Sequence, residues 1–340
     1  MEIRTLGRTG LKITEFCLGA MTFGREIDEA SARTILDRYM EAGGNFVDTA
    51  DVYGGGASEK IVGRWLQGRR DLIVLATKVR LAVSPSPNDV GASRRHIREG
   101  VEASLRRLQT DWIDLYQLHC WDATTPLEET LSTLDDLVRE GKVRYIGASN
   151  FTAWQLMKAL GVSARHDWEP FVSLQPQYSL AVRDIERELL PLCRSEGLAV
   201  LPWSPLAGGL LSGKYKRGQE TPEGTRARDT TPSAFHLRQR LEQERTLAIA
   251  DAVSKIAADE GRSPAQVALN WVRTRPGVTA PILGVRTLAQ LDDDLACLEW
   301  RLDDAQIAAL EEATGFERGY PYDFIDWIHA GAISKPPAMR

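Results

Sequence analysis

Short apolar runs alternate along the chain with longer amphipathic stretches. The runs are FCLG (16–19), NFVDTA (45–50), LIVLATK (72–78), WIDLYQLH (112–119), VRYIGASN (143–150), FVSLQ (171–175), LAVLPWS (198–204) and VTAPILG (278–284), and each reads as a buried strand. Between them apolar residues recur at helical spacing. In the clearest case Ser93 stands as an N-cap ahead of Ile97, Val101, Leu105 and Leu108, a stripe along one helix face. Strands that alternate with helices need right-handed crossovers and form a parallel sheet. Eight such units favour closure into a (β/α)8 TIM barrel over an open, doubly wound sheet. Residues 1–14 precede the pattern as two short strands around a turn at 7–10, a β-hairpin expected to serve as a plug or lid. A helical extension is expected to follow the last unit. The irregular stretch 205–235 is rich in Gly, Pro, Thr and Arg, and its length marks it as functional or mobile.

Composition narrows the picture without redirecting it. The chain of 340 residues is expected to form one α/β domain spanning 1–340, since barrels of this length share a single core. A hydrophobic fraction of 43% and a charged fraction of 26% exclude fibrous and disordered classes. The net charge of −5 supplies no basic field for nucleic acid or an anionic membrane, so any anion site must be local. No run approaches the ~18 apolar residues of a membrane span, and the N-terminus lacks the apolar core of a signal peptide. Cys17, Cys120, Cys193 and Cys297 show no CxxC spacing, which argues against a disulfide framework or a zinc ribbon and suits a reduced, cytoplasmic protein. The five histidines, at 96, 119, 166, 236 and 329, form no H-x-H pair, so no metal is expected.

In a barrel the active site lies at the carboxyl ends of the strands, and a polar residue that closes an apolar run is therefore informative. Asp48 closes NFVD, Tyr53 follows in the next loop, Lys78 closes LIVLATK and His119 closes WIDLYQLH. A phenol with a pKa near ~10 is a poor acid at neutral pH unless its phenolate is stabilised. A lysine ammonium supplies that, an aspartate keeps the lysine charged and fixed, and a histidine orients a substrate carbonyl oxygen. Singly, each residue has a plain structural reading as a cap, a surface charge or a core histidine; their coincidence at successive strand ends makes a site. Ser149, Asn150 and Gln175 close the fifth and sixth strands with hydroxyl and amide groups able to donate and accept hydrogen bonds to a ligand. Trp203 offers a flat face for stacking at the end of the seventh. The loop 204–214, with Gly208, Gly209, Gly213 and Lys214, suits a pyrophosphate. It nearly spells a Walker A loop, but Tyr215 stands where Ser or Thr must hold magnesium. Barrels also commonly place a phosphate after their last two strands, here near Gly284 and Arg286.

The segments FVDTADVYG with the following Glu59, ATK, LYQLHC, GASN and WSPLAGGLLSGKY together resemble the aldo-keto reductase superfamily over essentially the whole chain. The resemblance is strongest to the long-chain bacterial branch that also resembles potassium-channel β subunits, in which a Gly-rich insertion such as Gly54, Gly55 and Gly56 follows the tyrosine. It implies Asp48, Tyr53, Lys78 and His119 as a catalytic tetrad, with Tyr53 as proton donor. It implies NADP(H) as cofactor, held by Gly19, Ala20, Met21, Asp48, Ser149, Asn150, Gln175, Trp203, Ser204, Pro205, Leu206, Gly208 and Lys214. For the adenosine 2′-phosphate and adenine it implies Gly284, Arg286, Gln290, Asp293 and Asp294. Asp294 departs from the family's usual asparagine, which puts its adenine contact in doubt; a solvated helix charge is the competing reading. Arg226 and Arg228 are candidates to close over the pyrophosphate, against a plain reading as exposed charges.

The expected partner is a small-molecule carbonyl or alcohol. Tyr53, His119 and Trp121 are the expected substrate contacts, with Met21, Phe23, Tyr320, Tyr322, Phe324 and Trp327 as further candidates for an apolar lining. The competing function is a cofactor-binding regulatory subunit, which fold alone does not separate from a reductase. An open Rossmann dehydrogenase is disfavoured because no G-x-G-x-x-G follows the first strand.

Overall fold

The computed structural model describes residues 1–228 and 232–332. Strands β1 (Ile3–Thr5) and β2 (Lys12–Thr14) pair antiparallel as the expected hairpin. Eight parallel strands follow: β3 (Cys17–Gly19), β4 (Phe46–Asp48), β5 (Val74–Val79), β6 (Ile113–Leu118), β7 (Val143–Ser149), β8 (Ser173–Gln175), β9 (Ala199–Val200) and β10 (Ile282–Leu283). They form one sheet in the order β10-β3-β4-β5-β6-β7-β8-β9. The Thr279 amide donates to the Val200 carbonyl at 2.8 Å and the Ile282 amide to that of Pro202 at 2.8 Å, bridging the seam between β9 and β10. All eight apolar runs thus contain a strand, and the barrel closes. The strands are shorter than the runs because several run ends turn out of the ladder to carry polar side chains.

Helices α1 (Glu29–Glu41), α2 (Ala57–Leu66), α3 (Arg94–Leu108), α4 (Leu127–Arg139), α5 (Ala153–His166) and α6 (Leu189–Glu196) connect the first strands. Helix α3 starts where the Ser93 hydroxyl accepts from the His96 amide at 3.3 Å, and it buries Ile97, Val101, Leu105 and Leu108. Beyond β9 come α7 (Pro232–Leu241), α8 (Glu244–Asp259) and α9 (Pro264–Thr274); α10 (Leu288–Ala296) follows β10, and α11 (Asp304–Thr314) and α12 (Tyr322–Trp327) form the C-terminal extension. No helix among the described residues is long and apolar enough to cross a membrane.

Two apolar layers separate the strand faces. Leu75, Val79, Tyr116, Leu118 and Ile146 pack outward against the helices, whereas Phe46, Val74, Ala76 and Leu115 fill the barrel interior. The hairpin adds Leu6 and Ile13 to that interior from below. Gly7, at φ +57°, makes the close approach possible, since a Cβ there would lie 2.5 Å from the Val172 carbonyl oxygen and 2.8 Å from that of Gly197. The hairpin is therefore a plug for the amino-terminal end and no lid over the opposite face. Because side chains alternate along a strand, the inward series Phe46/Asp48, Val74/Ala76/Lys78 and Leu115/Gln117 changes from apolar to polar toward the carboxyl end. Burial at the bottom leaves one polar layer at the mouth.

Candidate active site

Lys78 is the centre of that layer. Its Nζ donates to Asp48 Oδ2 at 2.5 Å, to the Thr49 carbonyl at 2.8 Å and to the Tyr53 hydroxyl at 3.3 Å, and none of the Lys78 side chain is exposed. All three ammonium protons therefore have acceptors, the condition for keeping a charge in the interior. The other Asp48 oxygen accepts from Gln117 Nε2 at 3.0 Å and Gln175 Nε2 at 2.9 Å. Burial alone would lower the Lys78 pKa, yet Asp48 and Tyr53 hold it above its ordinary value. Burial raises the Tyr53 phenol, and Lys78 offsets part of that rise. The phenol is thus protonated at neutral pH and lies beside a fixed cation that favours its conjugate base.

His119 faces Tyr53, ring centroids 5.8 Å apart in an edge-on contact. Its amide donates to the Val79 carbonyl at 2.9 Å, which sets the imidazole at the top of β6 beside the end of β5. Burial, then the Lys78 and Arg80 charges, push the imidazole down to about 3, so it is neutral across the ordinary pH range. Asp48, Tyr53, Lys78 and His119 therefore share one site. Behind them, buried Glu59 accepts from the Thr77 hydroxyl and from Arg107 Nε, each at 2.6 Å. Asp51 lies buried nearby, where burial and then Glu59 raise its carboxyl to about 7.

The flanking residues divide into those at the open face and those turned away from it. Asn150 is exposed at φ +54° and ties three strand ends together: its Nδ2 donates to the His119 carbonyl at 2.8 Å, and its Oδ1 accepts from Trp203 Nε1 at 3.1 Å. Ser204 and Ala207 also adopt left-handed backbone, at φ +57° and +51°, a conformation non-glycine residues hold at some cost. Gly209 turns at φ +96°, where a Cβ would come 2.5 Å from Lys214 Nζ. Three strained residues and a crowded glycine gathered at the carboxyl ends of β7 and β9 fit a loop shaped to lie against a ligand. Not all its amides are available, because those of Ala207, Gly209 and Leu211 donate to Ser204 and Leu206 carbonyls. Pro205 is buried and Leu206 half-buried, while Gly208 and the tip of the loop with Lys214 reach solvent. Ser149 is buried and donates to the Gln175 carbonyl at 2.8 Å. The Gln175 amide nitrogen is committed to Asp48, which takes it away from the open face.

Gly19 and Ala20 are buried and Met21 half-exposed. Around the last strand, a Cβ on exposed Gly284 would meet only open space. The Arg286 guanidinium reaches Glu26 Oε2 at 2.5 Å and the Gly224 carbonyl at 3.2 Å. Gln290 accepts from the Arg286 amide at 2.8 Å. Asp293 turns toward α9, accepting from Ser263 and Gln266 at 2.7 Å each. Asp294 is buried, not solvated, because the inner face of α10 carries it into the protein. Arg228 donates to the Thr221 carbonyl within its own loop, and the Arg226 side chain lies outside the described residues.

On the substrate side, Trp121 is half-buried and packs edge-on against Phe151 and Trp154 at 5.3 and 5.7 Å. Phe23 is core, fully buried. The C-terminal aromatics face solvent instead of lining a pocket: Tyr320, Phe324 and Trp327 are 88%, 52% and 51% exposed, and the Tyr322 hydroxyl donates to Glu188. Two polar residues at the site were not singled out from sequence. Gln117 shares the inward parity of His119 two positions on, and Arg80 stands two positions after Lys78; strand alternation was the available signal for both.

A closed parallel barrel whose inward polar residues collect at the carboxyl ends of its strands is the architecture of a barrel enzyme. Residues 15–314 match the model of the aldo/keto reductase family, and the chain belongs to that family. It is similar to the uncharacterized oxidoreductase YrpG of Bacillus subtilis, 42% identical over 92% of this chain and 95% of the relative. Norsolorinic acid reductase stcV of Emericella nidulans is 35% identical over 93% and 82% of the two chains. A probable voltage-gated potassium channel subunit beta of Arabidopsis thaliana is 35% identical over 88% and 92%. Family and relatives together make the protein an oxidoreductase.

Proposed function

We propose that this protein is an NADP(H)-dependent reductase of a small aldehyde or ketone, built on one barrel domain in a reducing, cytoplasmic setting, with Tyr53 as proton donor. The observation that carries this reading is the Lys78 ammonium held between Asp48 and the Tyr53 hydroxyl at the barrel mouth. A bound nicotinamide would supply the hydride that the carbonyl carbon accepts. Neutral His119 hydrogen-bonds the carbonyl oxygen and, with Tyr53, polarises it. As the oxygen gains electron density, Tyr53 gives it the phenolic proton, and the carbonyl leaves as an alcohol. The Tyr53 phenolate is stabilised by Lys78 until it recovers a proton from water. Asp48, fixed by Gln117 and Gln175, keeps Lys78 charged and aimed.

Trp203, Asn150 and Ser149 supply the ring face and the polar groups for the nicotinamide, and the loop 204–214 supplies a curved backbone and Lys214 for the pyrophosphate. Arg286, with Gln290 beside it, is assigned to the 2′-phosphate end. The test is loss of NADPH absorbance against a panel of aldehydes and ketones. Turnover of at least one carbonyl is expected. Tight NADPH binding with no turnover across the panel would overturn the reading in favour of a cofactor-binding regulatory subunit.

A further inference from the structure

We propose that Arg80 is a specificity residue that recruits carbonyl substrates bearing a carboxylate, through a guanidinium placed beside His119 at the barrel mouth. The inference deepens the reductase reading and rests on it. Arg80 leaves β5 two residues beyond Lys78. Because Val79 lies opposite Leu118 in the parallel ladder, and the His119 amide donates to the Val79 carbonyl at 2.9 Å, Arg80 and His119 emerge from adjacent strands at one level.

The Arg80 backbone sits at φ 122°, a conformation that glycine takes without strain and an arginine does not. The Gly91 amide pins it there, donating to the Arg80 carbonyl at 2.8 Å. Such strain gathers where a side chain must be aimed. The guanidinium forms a long ion pair with Asp122. Its Nε is buried with no hydrogen-bond partner among the described residues, and its NH2 lies 3.9 Å from Asp122 Oδ1, beyond hydrogen-bond reach.

Asp122, in turn, has little need of Arg80. It accepts from the Ala92 amide at 2.7 Å, the Thr124 amide at 3.0 Å, the Thr124 hydroxyl at 2.7 Å and the Thr125 hydroxyl at 2.8 Å. Against the effect of burial, those bonds bring its carboxyl down to about 2. Arg80 therefore keeps most of its five donors for something else. A planar guanidinium matches a carboxylate in a two-pronged contact. A dianionic phosphate would meet twice the repulsion from Asp122 at that distance, which is why we assign the subsite to the monoanion. The Arg80 charge is felt at the reacting end of the site, where it helps keep His119 neutral.

The test compares 4-oxobutanoate with butanal, aldehydes of equal chain length that differ in the terminal carboxylate, with NADPH as cofactor. The readout is the ratio of their kcat/KM values on one protein, so a misfolded fraction cancels. The wild-type ratio is expected to exceed one and to fall as salt is raised. In Arg80→Gln it is expected to drop about 10- to 100-fold, the range for a lost charge-assisted contact, and Arg80→Lys is expected to fall between. A calorimetric titration with succinate, which does not react, reads the same subsite without turnover and should show weaker binding to Arg80→Gln by a similar factor. A ratio that ignores both salt and Arg80→Gln, or succinate binding equal in the two proteins, overturns the proposal. Should neither aldehyde turn over, the reductase reading fails, and the succinate titration alone decides on Arg80.

Discussion

On the proposed function, Arg286 and Glu26 together should set how strongly NADPH is preferred over NADH. The two cofactors differ by one 2′-phosphate, and a charge-assisted contact to it is worth roughly 1.5–3 kcal/mol. Arg286 does not wait uncompensated, however. Its guanidinium is paired with Glu26 at 2.5 Å, and the Arg25 guanidinium contacts the other Glu26 oxygen. The phosphate must displace that carboxylate. The Arg286–Glu26 pair is only 28% and 14% exposed, but Glu26 keeps Arg25 as a partner when Arg286 turns to the phosphate, so its loss is set at roughly 1 kcal/mol, the upper end for an exposed bridge, and offsets only part of the gain. Arg286→Ala should therefore weaken NADPH by about one order of magnitude, two at most, and hardly touch NADH. Glu26→Gln should tighten NADPH by up to about fivefold, again with NADH little changed. Dissociation constants of both cofactors for the three proteins, from quenching of intrinsic tryptophan fluorescence, make the comparison. Equal losses for NADH and NADPH in Arg286→Ala would mean that Arg286 only braces the loop through Gly224. A wild-type preference for NADH would remove Arg286 as a reader of the 2′-phosphate altogether.

Three further outcomes follow from the buried charges. Lys78→Met should lower turnover by about 10²–10⁴-fold and cost roughly 3 kcal/mol of stability by leaving Asp48 buried without its cation; adding Asp48→Asn should restore urea stability but not activity. On the proposed mechanism reduction draws the Tyr53 proton, and burial raises that phenol, so the wild-type rate should decline only as pH rises beyond about 10, with at most a shallow inflection near the Asp51 value of about 7. A decline centred near neutrality, with chemistry rate-limiting, would contradict this. Burial, then repulsion from Asp293, raises Asp294 to about 8, so the folded state holds a proton that the unfolded chain releases near pH ~4. Stability should then fall as pH rises between those values, and Asp294→Asn should gain up to about 5 kcal/mol in urea at about pH 8 but only about 1–2 kcal/mol near about pH 5. A gain independent of pH would count against the burial argument.

How far the sequence could be read depended on whether a residue's role followed from chain periodicity or from packing between distant segments. The barrel was legible because its eight runs and their amphipathic partners are local patterns, and the hairpin because its turn is. Asp48, Lys78 and His119 stood out for a related reason, as polar ends of apolar strands. The inward face of β6 was readable by the same alternation, yet Gln117 sits inside its run and was not singled out, because only run ends were. Gln175 was recognised as a strand end, but that its amide would be spent on Asp48 depends on the barrel's diameter, which no local pattern encodes. The pairing of Arg286 with Glu26, residues that meet only because β10 and β3 are neighbours, was equally hidden. For Asp294, beside Asp292 and Asp293, the sequence left an adenine contact and a solvated helix charge both open; helix phase against α9 buries it. The C-terminal aromatics looked like a lining, and the path of the chain after α11 leaves them on the surface.

If the Tyr53 phenol delivers the proton that completes carbonyl reduction, Tyr53→Phe removes that proton while leaving the ring in place. Single-turnover oxidation of pre-bound NADPH by a good aldehyde substrate, measured alongside the NADPH dissociation constant, isolates the chemical step. A rate lowered by about 10²–10⁴-fold is expected, with cofactor affinity within about twofold of wild type. A Tyr53→Phe protein that binds NADPH normally and reduces the aldehyde at a rate near that of the wild type would contradict that role for Tyr53.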